Sequence, residues 1–329
     1  MQRSQFTMKI SIALCTYNGT RFLNEQLSSI AAQTRLPDEI VICDDCSSDG
    51  TWEIIEAFSQ KITCPVNFYR NQNRLGSTKN FEKAISLCSG DLIALCDQDD
   101  VWMTHKLEIM EQIFRKFPDI DAVFSDGEIV DEKLSHLGYT LWQHTGFHSG
   151  KQRKMEHGHS LEVLLKHVVV TGATLIFRSS LKEYILPIPS DWVHDAWIAL
   201  LAATRNNLGF VSRPLILYRQ HGENQVGARY RGLVERFNES MHINRKNYYA
   251  SELSRYEEAL KRASSDIHPV STEALYLLEA KRLHLNKRAG LPASRGLRII
   301  PIMTELLSLR YHRFSFSWQV AVKDLLLPP

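Results

Sequence analysis

Two short apolar runs in this chain end abruptly in acid. Ile40-Val41-Ile42-Cys43 runs into Asp44-Asp45, and Leu92-Ile93-Ala94-Leu95-Cys96 runs into Asp97-Gln98-Asp99-Asp100. Apolar runs of this length, without helical periodicity and closed by polar residues, read as strands buried on both faces of a parallel sheet. In open α/β sheets ligands lie beyond the carboxyl ends of the strands. Two acidic patches thereby become one candidate site for a nucleotide or a metal.

Acidic residues after strands also open turns and cap helices. That account serves Ser47, Ser48, Asp49 and Gly50, which lead into the helical pattern Trp52, Ile55, Glu56, Phe58. It serves Asp97, Asp99 and Asp100 less well, because closely spaced like charges repel unless a cation or hydrogen-bond donors compensate them. Carboxylates are the ligands that hard Mg²⁺ or Mn²⁺ ions prefer, and such ions bridge to substrate phosphates.

The wider pattern alternates strand and helix, as in a wound α/β domain. Strands are expected at 9–15, 39–43, 66–70, 91–96, 121–125, 170–178 and 210–218, and helices at 20–33, 51–59, 77–88, 104–116, 159–167 and 194–204. The segment Leu137–His159 lacks periodicity and reads as a loop over the active site. From Gly232 onward the pattern is helical, with Pro292 and Pro301 expected to break it into pieces.

The stretch Ser11-Ile12-Ala13-Leu14-Cys15-Thr16-Tyr17-Asn18-Gly19 resembles the opening strand and loop of family 2 glycosyltransferases, which have the GT-A fold. The resemblance continues in order through Leu27, Ile30, Gln33, Pro37 and Glu39 to the run from Val41 to Thr51. It then passes Asn73, Gly76, Asn80 and Ala84 to reach Ser89-Gly90-Asp91 and Asp97-Gln98-Asp99-Asp100. It implies an α/β fold of GT-A type, with a mostly parallel sheet and a helical C-terminal extension. The domains expected are 1–227, catalytic, and 228–329, helical and basic.

The chemistry implied is sugar transfer from a nucleotide-sugar donor, whose diphosphate gathers negative charge as the glycosidic bond breaks and needs a divalent ion to stabilise it. By resemblance Asp99 is a metal ligand, Asp97 binds the ribose or a metal-bound water, and Asp100 supports the cluster or faces the donor sugar. Thr16, Tyr17, Asn18 and Asp44 match positions around base and ribose. Asp45 reads equally as a turn acid beside them, and Asn80 as a nucleotide neighbour or a packed helix residue. Inversion at the anomeric carbon needs a base for the acceptor hydroxyl. Asp195, in Asp191-Trp192-Val193-His194-Asp195-Ala196-Trp197, stands where the family carries that base, although a helix-capping role suits it too. His194, where Glu is commoner, shares the role or fixes the carboxylate. Trp192 and Trp197 would wall the acceptor pocket, with core packing an equal account of Trp197. Downstream, Leu215–Gly227 looks like the closing segment of bacterial rhamnosyltransferases. There His221 would complete the metal shell and Arg219 would pair with phosphate.

Composition sharpens the partners. From Ala228 onward 17 Lys and Arg stand against 10 Asp and Glu, although the net charge of the 329 residues is only +2. Leu297, Ile299, Ile300, Ile302, Met303, Leu306, Leu307 and Leu309 accompany Arg295, Arg298, Arg310 and Arg313, followed by Phe314, Phe316 and Trp318. This suits an anionic membrane surface, or packing on the catalytic domain or on a second subunit of a homo-oligomer. Nucleic acid is disfavoured, because the charge is modest and no binding motif accompanies it. The polar first ten residues predict no signal peptide, and no apolar run suits a transmembrane helix. The six cysteines accordingly read as reduced thiols. The Gln-x-x-Arg-Trp element of processive synthases is absent.

The expectation is therefore an inverting, Mg²⁺- or Mn²⁺-dependent glycosyltransferase of bacterial surface polysaccharide assembly, cytoplasmic or peripheral on the inner membrane. It would act on a saccharide or undecaprenyl-linked acceptor, with rhamnose from dTDP-rhamnose as the preferred sugar. A sugar nucleotidyltransferase and a non-catalytic scaffold of the same fold are the alternatives. Against the former, the chain's start lacks the Gly-rich, Arg- and Lys-containing loop that holds a triphosphate.

Overall fold

The computed structural model describes residues 7–222, 245–265, 270–316 and 318–327. β1 (Ile10–Thr16) is buried at every position, which is why its sequence shows no polar alternation. After α1 (Leu23–Ala31) come β2 (Glu39–Asp44), α2 (Thr51–Ser59), β3 (Val66–Arg70), α3 (Ser77–Leu87) and β4 (Leu92–Asp97). β3, β2, β1 and β4 lie side by side in that order, all parallel. The order reverses direction at β1, so the crevice between the ends of β1 and β4 is a topological switch point. Register sets the chemistry there, because Thr16 pairs with Asp44 and Cys15 with Asp97.

The second half of the sheet is mixed. β5 (Val101–Trp102), α4 (Lys106–Lys116) and β6 (Ala122–Val130) are followed by β7 (His136–Thr140), α5 (Leu141–Thr145), α6 (Ser149–Glu156) and α7 (Ser160–Lys166). Then come β8 (Leu175–Arg178), α8 (Lys182–Ile185), α9 (His194–Thr204) and β9 (Leu208–Arg219). β8 joins β4 and β6, antiparallel to both. β9 runs parallel to β6 and carries β5 on its far side.

Three expectations need correction. The 137–159 segment is not an open loop: it holds β7, α5 and α6. A reciprocal cap starts α5, with Thr140 accepting from the Gln143 amide at 3.3 Å and Gln143 Oε1 accepting from the Thr140 amide at 2.9 Å. Trp142 and Phe147 then bury themselves against Phe124. The strand expected at 170–178 is confined to β8, since Gly172–Thr174 forms a tight helical turn. Pro301 does not break its helix, which runs Arg295–Leu307. The carbonyl that the proline ring leaves unpaired belongs to Leu297, on an exposed turn where water can bind it.

The chain forms two compact units. One comprises Met1–His148, Val170–Ala202 and Asn207–Ala228, and the other Ser149–Val169, Ala203–Asn206 and Arg229–Pro329. The second unit contains α10 (Arg245–Ala263), α11 (Thr272–Ala289), α12 (Arg295–Leu307), α13 (Arg310–Phe314) and α14 (Trp318–Leu326). Beside an apolar cluster of Leu291, Ile302, Tyr311 and Ala321 it buries charge. Asp324 accepts from Arg288 Nε at 2.7 Å, the Tyr311 hydroxyl at 2.7 Å and the Tyr249 hydroxyl at 2.6 Å. Glu305 meets His284 Nδ1 at 2.7 Å, Lys287 at 2.8 Å and Arg310 at 3.0 Å.

Burial alone would raise the Glu305 carboxyl. Hydrogen bonds from His284, Lys287 and Arg310 outweigh it and hold the group at about 2. A folded-state value below that of an unfolded Glu stabilises the fold above about pH 4, and that stability is lost as pH falls further. Glu305→Gln should lower the unfolding free energy by about 3 kcal/mol at neutral pH. It should also flatten the wild-type loss of stability between about pH 4 and pH 2, measured by denaturant titration across that range.

Candidate active site

The loops after β1 and β2 lock together before any ligand is considered. Thr16 Oγ1 donates to Asp44 Oδ2 at 2.9 Å, and Asp44 Oδ1 accepts from the Ser47 amide at 3.0 Å. Asn18 takes a left-handed backbone (φ 48°), which its short polar side chain tolerates. Its amide donates to Ser47 Oγ at 2.8 Å, and its Oδ1 accepts from the Ser48 amide at 2.9 Å. Asp45 is buried and accepts from Asn71 Nδ2, the Leu75 amide and the Gly76 amide at 2.7–2.9 Å. Asn80 donates to the Cys43 carbonyl at 2.7 Å and accepts from Asn71 at 2.8 Å. Asp45 thus directs its polar atoms to the segment between β3 and α3, and Asn80 ties that segment to β2. Tyr17 stays partly exposed, with the Arg74 guanidinium 3.9 Å from its ring centre.

Gln98 ties these loops to the end of β4. Its Oε1 accepts from the Tyr17 amide at 2.8 Å and its Nε2 donates to the Tyr17 carbonyl at 3.0 Å, spanning the switch point like one rung of a sheet. Gly19 leaves room for it, since a Cβ there would come within 2.3 Å of Gln98 Oε1.

The acids behind this clasp form an electrostatic unit. Burial pushes Asp97 up to about 7, reinforced by the charges of Asp99 and Asp195 and opposed by Lys106. Asp100 is raised by burial and then by Asp99 and Asp97. Its Oδ1 accepts from the Arg219 amide at 3.0 Å, while its buried Oδ2 has no hydrogen-bond partner among the described residues. Lys106 is buried beneath the cluster, donates to the Ala173 carbonyl at 2.6 Å and lies 3.7 Å from the Trp102 ring centre. Burial draws its ammonium down to about 7 against the pull of Cys96, Asp100 and Asp97.

Asp99 Oδ2 stands 2.8 Å from His221 Nε2. Arg219 is fully buried and donates to the Asp99 carbonyl at 2.8 Å, the Glu132 carbonyl at 2.6 Å and the Glu25 carboxylate. The two residues expected as metal ligands therefore come together, while the guanidinium expected on phosphate faces protein oxygens. Donors about 2.1 Å from an octahedral ion and at right angles lie about 3 Å apart, so Asp99 and His221 fit a divalent cation as neighbouring ligands. Among the described residues no group of three or more His, Cys, Asp or Glu converges. An ion there would draw its other ligands from substrate oxygens and water.

Asp195 Oδ2 accepts from the Gly172 amide at 2.8 Å, and Oδ1 accepts from the Ala196 amide at 2.6 Å in the first turn of α9. His194 is buried and stacked on Phe81 at 4.0 Å, with neither ring nitrogen hydrogen-bonded among the described residues. Burial lowers its pKa against the pull of Asp195, so the ring is neutral. Trp197 is wholly buried and donates to the Ile185 carbonyl at 2.8 Å, the core account; Trp192 is buried beside it. Sequence reasoning missed Gln98 and Lys106. Gln98 stood inside the acidic motif, but a neutral amide drew no electrostatic argument. Nothing in the Lys106 sequence context announced a buried ammonium.

Known proteins bear on this arrangement. The dTDP-rhamnosyl transferase RfbG of Shigella flexneri is 27% identical over 265 residues, covering 75% of this chain and 84% of its own. The chain spans 66% of the length of an uncharacterized glycosyltransferase of Nostoc and 34% of that of the abequosyltransferase RfbV of Salmonella typhimurium. Among solved structures, S. aureus TarS in complex with UDP-GlcNAc superposes with a TM-score of 0.61 at 15% identity, over 97% of this chain and 89% of that one. The mannosyltransferase PcManGT from Pyrobaculum calidifontis, in complex with GDP-Man and Mn²⁺, gives 0.51 at 14% identity over 98% and 86%. These likenesses give the GT-A fold. The profile of Glycosyl transferase family 2 matches residues 11–185, more than half of the sequence, and the chain belongs to that family.

Proposed function

We propose that this chain transfers a sugar, with inversion, from a nucleoside diphosphate donor to a saccharide or undecaprenyl-linked acceptor during bacterial surface polysaccharide assembly at the cytoplasmic face of the membrane. The observation that carries the reading is the approach of Asp195 to the end of β4: it accepts from the Gly172 amide, Lys106 donates to the adjoining Ala173 carbonyl, and the Asp97 carboxyl feels the charges of Asp99 and Asp195. A donor site and an acceptor base must adjoin in this way for in-line displacement. The likeness to RfbG favours dTDP-rhamnose as donor.

In this reading Thr16, Tyr17, Asn18 and Asp44 frame the base and ribose, and Asp97 binds the ribose or a metal-bound water. Asp45, Asn80 and Arg219 act through the segments they hold. Asp99 and His221 hold Mg²⁺ or Mn²⁺, which when bound neutralises charge developing on the diphosphate. Asp195 takes the acceptor hydroxyl proton, its carboxylate aimed by the Gly172 and Ala196 amides. His194 supports that aim as a packed, neutral ring.

Calorimetric titration with dTDP, UDP and GDP, each with Mn²⁺ and with EDTA, tests the donor side. One nucleotide should bind only with metal, and Asp99→Ala should weaken it at least tenfold. Failure of all three to bind the folded protein would favour the scaffold reading. Asp195→Asn should leave nucleotide affinity within about twofold while lowering donor hydrolysis at least a hundredfold. Release of pyrophosphate instead of nucleoside diphosphate would establish the nucleotidyltransferase alternative.

A further inference from the structure

Helix α12 is built inside out. Its buried residues are Arg298, Ile302 and Glu305, while Leu297, Ile300, Met303 and Leu307 face outward, 67%, 75%, 47% and 78% exposed. At about 100° per residue the two sets centre on directions about 180° apart. A surface helix ordinarily does the reverse. The buried charges are accounted for inside the C-terminal unit. Glu305 meets His284, Lys287 and Arg310, and Arg298 donates to the carbonyls of Pro292, Ala293 and Leu327 at 2.6–2.8 Å. Among the described residues the apolar face is left exposed. Beyond it the chain exposes Leu309, Phe316 and Trp318 as well.

Cations prevail around this face. From Arg295 to Leu327 the only acids are Glu305 and Asp324, both buried, whereas Arg295 and Arg313 are exposed, Arg313 pairing with Glu162 of α7 at 3.1 Å. Phe316 packs against His167 at 5.1 Å, at the end of α7. Next to His167 is Lys166, whose ammonium is lowered by burial and by the charge of Lys154, and which in turn acts on Lys151. A second copy of the same surface would set arginines and lysines against their own images. An anionic lipid surface complements them, and it accepts Leu, Ile, Phe and Trp at headgroup depth. No helix among the described residues is long and apolar enough to cross a membrane.

We propose that the outward face of α12, continued by Leu309, Phe316 and Trp318 and rimmed by Arg295 and Arg313, docks on an anionic bilayer surface. The contact is interfacial. It deepens the acceptor reading above, on which it rests only for its purpose, since docking needs no donor chemistry.

Cosedimentation of the full chain with large vesicles of phosphatidylglycerol and phosphatidylethanolamine, against vesicles of phosphatidylcholine alone, tests it. Wild type should partition onto the anionic vesicles at least tenfold more strongly, and added salt should release it. Ile300→Glu with Leu307→Glu should abolish the partition while leaving the melting temperature and nucleotide affinity unchanged. Salt release provides the test independently of that variant's folding. No sedimentation with anionic vesicles overturns the proposal, as does equal sedimentation with both compositions. A dimer seen by light scattering that the double variant dissociates, without vesicle binding, would make the face a homo-oligomer interface. Nucleotide titration on the same preparations keeps failure of docking distinct from failure of the glycosyltransferase reading.

Discussion

The buried carboxyls of Asp97 and Asp100, each acted on by the neighbouring acids, are the constraint around which the end of β4 is arranged. Parallel pairing of β4 with β1 delivers Asp97 to the switch point, and α9 brings Asp195 to the same place. Like charges this close, partly removed from water, hold protons unless something positive compensates them. Lys106 sits beneath the cluster with its ammonium weakened by burial, and Arg219 reaches the Asp99 carbonyl, not its carboxylate. Asp100 keeps a buried oxygen that no described residue meets. In the reading proposed above, a bound divalent ion would supply positive charge beside these acids.

Around that cluster most of the expected nucleotide residues are already bonded to one another. Asp44, Asn18 and Thr16 form one lattice; Asp45, Asn71 and Asn80 form another. Such pre-organisation lowers the ordering cost of binding, because the loops need not be fixed when a ligand arrives. Gln98 joins the lattice after β1 to the acidic loop through the Tyr17 backbone, so base-side and phosphate-side elements keep a set spacing.

The parts of this architecture that were legible in the sequence are those with a long-range physical signature. Buried parallel strands reveal themselves as unbroken apolar runs, and α2 and α9 begin and end where the periodicity puts them. Short elements carry no such signature. β5 has two residues, and α5 depends on one Thr-x-x-Gln cap and two aromatics that only the tertiary fold brings to Phe124. Side-chain direction was equally hidden. Arg219 after a strand suggested phosphate, whereas Glu25 and Glu132, from distant segments, determine where its guanidinium points. His194 beside Asp195 suggested a shared proton, whereas Phe81 claims the ring.

The tail adds a different lesson about pattern. An apolar stripe along a helix is ordinarily taken as the buried side, and in α12 that inference inverts because the interior offers ionic partners. Glu305 is met by a histidine, a lysine and an arginine, and Arg298 by the carbonyls of Pro292, Ala293 and Leu327, so the side that packs carries these two charges along with Ile302. A buried ionic network contributes little net stability against an apolar core, but it is costly to break and fixes which face turns inward. Leu297, Ile300 and Leu307 are thereby held outward by the partners of their neighbours, independent of any preference of their own for water.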